Sequence, residues 1–408
     1  MTTTALKNPS EAERQLAERF ARQKPEVAQK AAFEAFGRTG LPHRRMEQWK
    51  WTDVRQAVPE LAPVTADADT TIELPSNAVK LSFDGTAWTI PDELPAGLNI
   101  FLISGGHDFA QADALPVGAL AASMTGHSGK DMLMIEVSAK VDRPLVLSYH
   151  GGDDAAFSRV VFVVREACHV DIFEHYSGGS GFSSFLTEFG LAEGASANRT
   201  LLQEASQQEV TAITTTAHLE TKAAFTQSAL AFGGKLCRIE THLEHKGEGA
   251  EATLNGAYLA ASGYHTDFTT HVTHGAESCV TSQLTKGAVA DGGRGVFQGK
   301  FLVPRTIGQF TDAEMQHQAL LLENGAEIFA KPELEIYADD VECEHGNTSG
   351  QLDEDALFYM QQRGIPKPEA RALLTEAFIA EALEKAHEDV RAQLVEATRR
   401  FLRNQRGG

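Results

Sequence analysis

A Cys-x-His pair is the strongest chemical signal in this sequence. Side chains two positions apart in a β-strand lie on the same face, so Val341, Cys343 and His345 are expected to share one side and Glu342 and Glu344 the other. A thiolate and an imidazole are ligands that iron and zinc accept. Two ligands make half a metal site, so a metal role would require further ligands from a partner chain. The alternative is that the pair is simply the buried end of a strand.

The other histidine pairs give weaker signals. His242 and His245, and likewise His271 and His274, are separated by three positions and lack the His-Glu-x-x-His pattern of zinc proteases. In strands this spacing places the two rings of a pair on opposite faces. We therefore expect exposed histidines without a metal.

The sequence contains none of three common motifs of enzymes and nucleotide-binding proteins. The stretch GGRGVFQGKF approaches a phosphate loop, but Arg294 stands at the first glycine position and Phe301 at the position of the magnesium-binding hydroxyl. The G-x-S-x-G elbow and the dinucleotide fingerprint are absent from the sequence. The sequence thus lacks an obvious catalytic motif and the phosphate loop that an ATP site of its own would need.

Composition limits the partners and the compartment. The 408 residues carry a formal charge of −20, which disfavours nucleic acid as a partner because Lys and Arg supply most of that affinity. No run of eighteen apolar residues and no signal peptide is found, which predicts no membrane segment and a cytoplasmic location. The 4 cysteines are widely spaced, without a Cys-x-x-Cys pair, and are expected to be reduced.

Residues 97–346 are rich in short β-branched runs, among them MLMIEVS, PLVLSYH and RVVFVVRE. A turn that ends in alanine restarts a strand at intervals of 26 to 29 residues, with one final interval about twice as long. The starts are Ala167, Ala195, Ala224, Ala250, Ala276 and Ala326. Such a period favours a β-solenoid, whose rungs bury their apolar face only by stacking. The competing interpretation is a two-sheet antiparallel sandwich, which would use more hairpin turns.

Helical periodicity marks both ends of the chain. Residues 10–57 are predicted to be helical, with Gly37 and Gly40 as stops, and residues 59–95 to form an irregular connection with a strand at VKLSFDGTAW. Near the other end, Asp353 is the expected N-cap of a helix that Gly364 closes. A second, long helix follows from residue 368 to 404. The expected division is 1–95, 96–347 and 348–408.

The segment LPHRRMEQWKWTDVR gathers aromatic and basic side chains near the N-terminus. His43, Arg44, Trp49, Lys50 and Trp51 are among them. Trp and Arg are common both in binding hot spots and in structural cation–π packing. The structural interpretation, a packed edge of the helical lobe, is favoured over a binding surface.

Several of these segments together resemble the SufB/SufD family of the SUF iron–sulfur cluster assembly machinery, and within it the SufD members. They are LPHRRMEQWKWTDVR, GRGVFQGKFLVP, EARALLTEAFIAEAL and the long block from Gln318 to Ile365, which contains AKPELEIYADDV and FYMQQRGI. SufB-like chains usually have Glu-His-Glu where this chain has Glu344, His345 and Gly346. The resemblance implies a mainly β fold, with a right-handed parallel β-helix core flanked by α-helical regions.

The resemblance also implies partners and roles. This chain would be a non-catalytic scaffold that pairs with SufB, and His345, with Cys343, would handle iron or a nascent cluster shared with SufB. The C-terminal helices would dock the SufC ATPase; the residues concerned are Phe358, Tyr359, Arg363, Gly364, Leu373, Leu374 and Phe378. A homodimer stays open for the isolated chain. The alternatives are a SufB-like scaffold and a polysaccharide-acting β-helix enzyme with an acidic and basic outer cleft.

Overall fold

The computed structural model describes residues 6–64, 75–104, 107–126 and 131–404. The helices are α1 Glu11–Arg22, α2 Val27–Thr39, α3 Val54–Ala57, α4 Pro116–Met124, α5 Glu354–Gln362, α6 Lys367–Glu381 and α7 Glu388–Asn404, with a 3₁₀ turn at Glu47–Trp49. The strands are β1 Val79–Phe83, β2 Trp88–Thr89, β3 Leu98–Ile103, β4 Met132–Val137, β5 Leu145–Tyr149, β6 Ala155–Val164, β7 His169–Tyr176, β8 Phe182–Leu191, β9 Ser196–Gln203, β10 Val210–Leu219, β11 Ala224–Ala231, β12 Leu236–His245, β13 Glu251–Ala260, β14 His265–His274, β15 Val280–Val289, β16 Arg294–Val303, β17 Asp312–Leu321, β18 Glu327–Ile336 and β19 Glu342–Gly350.

The strands form two parallel sheets that face each other, which confirms the predicted β-solenoid. Sheet A contains β19, β17, β15, β13, β11, β9, β7, β5, β1 and β2 in spatial order, and sheet B contains β18, β16, β14, β12, β10, β8, β6, β4 and β3. From β4 onward, consecutive strands therefore alternate between the sheets, and each pairs with the strand two places along the chain. The first rungs are closed by antiparallel pairs, β1 with β2 and β3 with β4.

Small residues form one corner of the solenoid and explain the repeat. The position just before each sheet A strand is buried in six successive rungs; it is Cys168, Ala195, Ala223, Ala250, Cys279 and Thr311. The expected starts at Ala195 and Ala250 lie on this corner, and Ala167 and Ala224 are one residue away. Ala326 precedes β18 and belongs to sheet B. Ala276 lies three residues before the corner at Cys279, so the long last interval runs from a sheet A turn to a sheet B turn and passes the β17 rung, whose corner is Thr311.

The interior of the solenoid is apolar over much of its length but also contains polar side chains, among them a buried ion pair. Arg199 and Glu174 are both 0% exposed, and Arg199 Nη2 lies 2.5 Å from Glu174 Oε2. The other guanidinium nitrogen donates to Thr215 Oγ1 and to Gln227 Oε1, each at 2.7 Å, while the Tyr176 hydroxyl donates to Glu174 at 2.7 Å. These bonds compensate the loss of hydration of the two charges.

Helices cover the outer faces of both sheets. The N-terminal lobe and α4 pack on sheet B through a core that includes Phe36 and Leu120 from the helices and Phe182 from β8. The C-terminal helices pack on sheet A, where Leu383 and Leu394 share a core with the outward residues of several strands. The apolar outward side chains thus explain why the strands β6 to β12 are buried on both faces.

The first C-terminal helix begins and ends at the predicted residues, but the second does not follow the prediction. Asp353 caps α5 by accepting from the Asp355 and Ala356 amides, and Gly364 follows with a φ of 87°. The prediction of one helix from residue 368 to 404 is wrong, because the chain breaks between α6 and α7. Gly37, expected as a stop, lies inside α2, which ends at Gly40.

Replacement of Arg199 tests the buried ion pair. Arg199→Met leaves the Glu174 carboxylate buried without a counter-charge, and we expect unfolding to cost about 3–5 kcal/mol less than in the wild type. The measurement is chemical unfolding followed by circular dichroism. The double variant Arg199→Met, Glu174→Gln is expected to recover part of the loss.

The matched control is Arg14→Met, which breaks an exposed pair with Glu11 and should change stability by about 0.5 kcal/mol or less. Equal losses in the Arg199 and Arg14 variants would show that the interior pair has no special role.

Candidate functional site at the open end of the solenoid

The Cys-x-His pair lies on the last rung of the solenoid. β19 pairs only with β17, and β18 only with β16, so both final strands leave one edge without a neighbour in the described part of the chain. In register, Cys343 lies opposite Ala313 and His345 opposite Met315. Because Ala313 and Met315 are core residues, Cys343 and His345 are on the inner side of the wall, at its open end.

The two side chains differ in exposure. Cys343 is half-buried and packs against the solenoid core, and burial together with the nearby Asp312 carboxylate raises the pKa of its thiol. His345 is exposed, and its ring forms no hydrogen bond or ion pair with any described residue. The imidazole is therefore free to bind an external group, whereas the thiol must lose a proton to act as a ligand.

A buried histidine on the neighbouring strand β17, His317, contacts the last rung through Asn347. His317 is 0% exposed, and its ring stacks on Phe297 with centroids 4.6 Å apart. Its Nδ1 lies 2.8 Å from Asn347 Oδ1, and its Nε2 lies 2.9 Å from the Tyr258 hydroxyl. Since an amide oxygen only accepts, Nδ1 carries the proton and Tyr258 donates to Nε2. This chain of bonds fixes the Asn347 amide on the inner side of β19, two residues beyond His345.

Sequence reasoning assigned no role to His317. Its position in the alternation of β17 marks it as inward, but only the register between β17 and β19 shows that it meets Asn347. A polar residue at an inward position of β17, the second-to-last strand of sheet A, was the sequence signal that could have indicated this role.

The seven residues expected to dock a partner fall into two groups. Phe358 and Tyr359 on α5 and Leu373 on α6 are exposed by 63%, 60% and 40%, and Arg363 and Gly364 lie between them on the surface. The Arg363 guanidinium donates to the Tyr359 hydroxyl at 3.0 Å.

Leu374 and Phe378, by contrast, are partly buried and pack inward against the core under the C-terminal helices. The Lys286 ammonium lies 4.3 Å from the centre of the Phe378 ring. These two side chains attach α6 to sheet A, while the first group faces outward.

The paired histidines of β12 and β14 are not the exposed residues that were expected. Each pair does split across two faces, but His245 and His274 are 0% exposed and point into the solenoid. Their Nε2 atoms each lie 2.9 Å from the Thr281 hydroxyl, and their rings stack with centroids 4.9 Å apart. Burial lowers the pKa of His245 to about 3 and that of His274 to about 4, so both rings are neutral near pH 7.

The N-terminal aromatic and basic segment packs on sheet B. Trp49 is buried, and the Arg238 guanidinium carbon lies 3.8 Å from the centre of its ring. Arg238 also pairs with Asp267 at 2.8 Å and donates to the Gln48 carbonyl oxygen at 2.9 Å. Part of the segment is therefore structural, as favoured, while Trp51 stays half-exposed at the surface.

The described residues contain neither a complete metal site nor a membrane-spanning helix. No group of three or more His, Cys, Asp or Glu side chains in the described ranges is arranged to hold a metal ion. None of the helices that the structure describes is long and apolar enough to cross a membrane. Within the described chain, Cys343 and His345 thus offer at most two ligands.

Comparisons with known proteins point to iron–sulfur cluster assembly. Residues 147–378 match a family model described as the SufBD core domain of the SUF system for FeS cluster assembly. The chain is 26% identical over 386 residues to the iron-sulfur cluster assembly protein SufD of Escherichia coli, covering 86% of this chain and 87% of that protein.

Two further relatives match over shorter stretches. The chloroplastic protein ABCI7 of Arabidopsis thaliana is 29% identical over 312 residues, covering 72% of this chain and 63% of that protein. The SufBD family protein slr0076 of Synechocystis is 31% identical over 242 residues, covering 56% and 52%.

The buried histidines predict a stability that falls in acid. His245 and His274 have pKa values lowered from 6.5, so below pH 6.5 the unfolded chain takes up protons that the folded chain excludes. Each such group removes about 1.4 kcal/mol per pH unit between its two pKa values. We expect stability to decline from about pH 6.5 to 4, and the decline to be shallower in the variant His245→Gln, His274→Gln.

Unfolding midpoints across this pH range provide the measurement. His169→Gln is the control of opposite sign, because a hydrogen bond to Asp171 raises the pKa of His169 and stabilises the folded state in acid. Its removal should make the decline steeper. An unchanged slope in the double variant would contradict the prediction.

Proposed function

The chain belongs to the SufBD family of iron–sulfur cluster assembly proteins, and from this membership we propose that it is a SufD-type, non-catalytic scaffold subunit. Its solenoid, residues 96–347, pairs with SufB, and its C-terminal region, residues 348–408, docks the SufC ATPase. Iron or the nascent cluster is the cargo, held jointly with SufB. Support for the SufD assignment comes from the relative in Escherichia coli, which bears that name.

The observation that carries the proposal is the open end of the solenoid. A terminal rung presents unpaired backbone groups and core side chains, which must be covered by a cap or by another chain. β19 is exposed along nearly its whole length, and the inward residues Ala330 and Leu334 of β18 remain half-buried where core residues of deeper rungs are buried. Such an edge suits pairing with a strand of a homologous protein.

The placement of Cys343 and His345 on this same rung supports a shared metal site. The chain contributes one sulfur and one nitrogen donor, and tetrahedral iron or zinc sites use four ligands. Ligands from SufB on the opposite side of the interface would complete the set. The raised pKa of the Cys343 thiol favours its neutral form until a metal displaces the proton.

The outward residues of α5 and α6 support a second interface. Phe358, Tyr359 and Leu373 are large hydrophobic side chains that are exposed, and Arg363 donates to the Tyr359 hydroxyl. Aromatic residues and arginine are typical of interface hot spots. Leu374 and Phe378 would act indirectly, by fixing α6 on sheet A. ATP hydrolysis would then belong to SufC, which agrees with the missing phosphate loop in this chain.

Loss of the His345 ring tests the metal role. In the complex co-expressed anaerobically with SufB and SufC, we expect His345→Ala to lower iron and acid-labile sulfide by about tenfold or more, because a ligand or iron-entry group is removed. Size-exclusion chromatography checks that the complex still assembles.

Glu344→Ala is the matched control, since Glu344 is exposed on the same strand but on its other face. Unchanged cluster content in an assembled His345→Ala complex would refute the metal role and leave a scaffold alone.

Truncation of the exposed rings tests ATPase docking. We expect Phe358→Ala with Tyr359→Ala to weaken capture of SufC by about tenfold or more, because exposed aromatic anchors carry much of an interface's energy. Binding is measured by titration calorimetry or by pull-down.

Phe101→Ala is the control, since Phe101 is 46% exposed and lies on β3 in sheet B. Neither set should alter the unfolding midpoint much, because the rings are outside the core. Full retention of SufC by the double variant would place the ATPase elsewhere.

A further inference from the structure

A cavity of about 380 Å³ opens between the N-terminal segment and the outer face of sheet B, and Phe329 of the terminal strand β18 is part of its wall. Its walls include Arg44, Lys50, Trp51, Lys235, Arg294 and Phe329, and we call it the cationic pocket. Leu236, His265 and Arg294 stand at the starts of successive sheet B strands, which brings them into one column. The volume lies in the range of pockets that hold small molecules.

The charge of this pocket is opposite to that of the whole protein. Its lining has four cationic side chains and one carboxylate, Asp53, in a chain of formal charge −20. Arg44 lies 3.4 Å from Asp53, and Arg294 pairs with Glu327 at 2.5 Å outside the lining. Local cation excess inside a concave surface focuses the field on an incoming anion.

The two lysines supply that excess. Lys50 and Lys235 are both exposed, and neither forms an ion pair with a carboxylate in the described residues. Glu47 is near Lys50, but its carboxylate is bonded to Lys331 at 2.9 Å. An ammonium group that has no carboxylate partner is available to a phosphate.

Aromatic rings form another wall of the pocket. Trp51 and Phe329 are half-buried and stack with centroids 5.7 Å apart and planes 19° apart. The Lys50 ammonium lies 5.2 Å from the centre of the Trp51 ring, and the Arg294 guanidinium carbon lies 5.5 Å from that of Phe329. The cations and the aromatic rings of the pocket therefore adjoin each other, and a planar ligand would take the place of a cation over one of the rings.

The pocket is held in shape by buried neighbours. Trp49 and Gln48, next to Lys50, are fixed by Arg238, which is itself bound to Asp267. The Thr52 hydroxyl also bonds to Asp267, on the other side of Trp51 in sequence. A preorganised wall reduces the entropy lost when a ligand binds.

We propose that the cationic pocket binds one phosphorylated planar aromatic molecule of the nucleotide type, with the phosphate at Lys50 and Lys235 and the ring against Trp51 and Phe329. Because Asp53 offsets part of the positive charge, the remaining cation excess suits a ligand with one or two negative charges. It is too small for a nucleic-acid polymer. The proposal uses the outer face of β18, whereas Cys343 and His345 lie on the inner side of β19, so it does not rest on the metal role of that pair.

Titration with AMP, adenosine and inorganic phosphate tests the proposal. The full-length protein should bind AMP with a dissociation constant below about 1 mM, and adenosine and phosphate about tenfold more weakly, because each lacks half of the contacts. The variant Lys50→Gln, Lys235→Gln should weaken AMP binding by about tenfold or more. Trp51→Leu should weaken AMP binding but leave phosphate binding unchanged. Calorimetry and ligand-observed NMR provide the readout.

The matched control is Lys80→Gln, which removes an exposed lysine of β1 in sheet A and should bind AMP as the wild type does. Unfolding midpoints confirm that each variant is folded. Three outcomes would overturn the proposal: no AMP binding at about 5 mM, equal affinity for phosphate and AMP, or unchanged affinity in the lysine double variant. Binding of an acidic peptide in place of AMP would assign the pocket to a protein partner instead.

Discussion

The parallel stacking of rungs is the constraint on which the rest of this structure depends. Each strand bonds to the equivalent strand of the rungs above and below, so every inward position becomes a column along the solenoid. The columns of Ala313 and Met315 continue into Cys343 and His345, where the chain leaves the solenoid. The last rung therefore displays side chains in core positions without a rung to cover them. A chemically useful pair at this place is exposed by the geometry itself, without a cleft.

The same stacking determines what the helices do. A sheet with apolar residues on both faces must be covered, and the N-terminal lobe and C-terminal helices bury the outer faces of sheets B and A respectively. Inside, strict register allows a charged residue only where the neighbouring rungs supply partners. Arg199 meets this requirement through Glu174, Thr215 and Gln227, which come from three other strands. The polar interior is thus specified rung by rung.

Sequence patterns located the parts of the fold that depend on local chemistry. The alanine-ending turns marked the solenoid period because a small residue is needed at the buried corner, and Asp353 and Gly364 marked α5 because capping is local. Long-range register was not readable in this way. The burial of His245 and His274 and the bond from His317 to Asn347 arise between strands, and nothing at those positions alone distinguishes an inward histidine from an outward one. The break between α6 and α7 was missed because the apolar stripe continues across it.

The number of candidate metal donors at the open end follows from this geometry. An inward column offers one side chain per rung, and rungs below the last are filled by core residues such as Met315, so a single solenoid end presents only what β19 and β18 carry. On β19 the donors are Cys343 and His345, whereas the inward residues Ala330 and Leu334 of β18 are apolar. A metal held at this end must take its remaining ligands from whatever covers the rung. In the proposed pairing with SufB, coverage of the open strands and completion of the coordination sphere would therefore be one event.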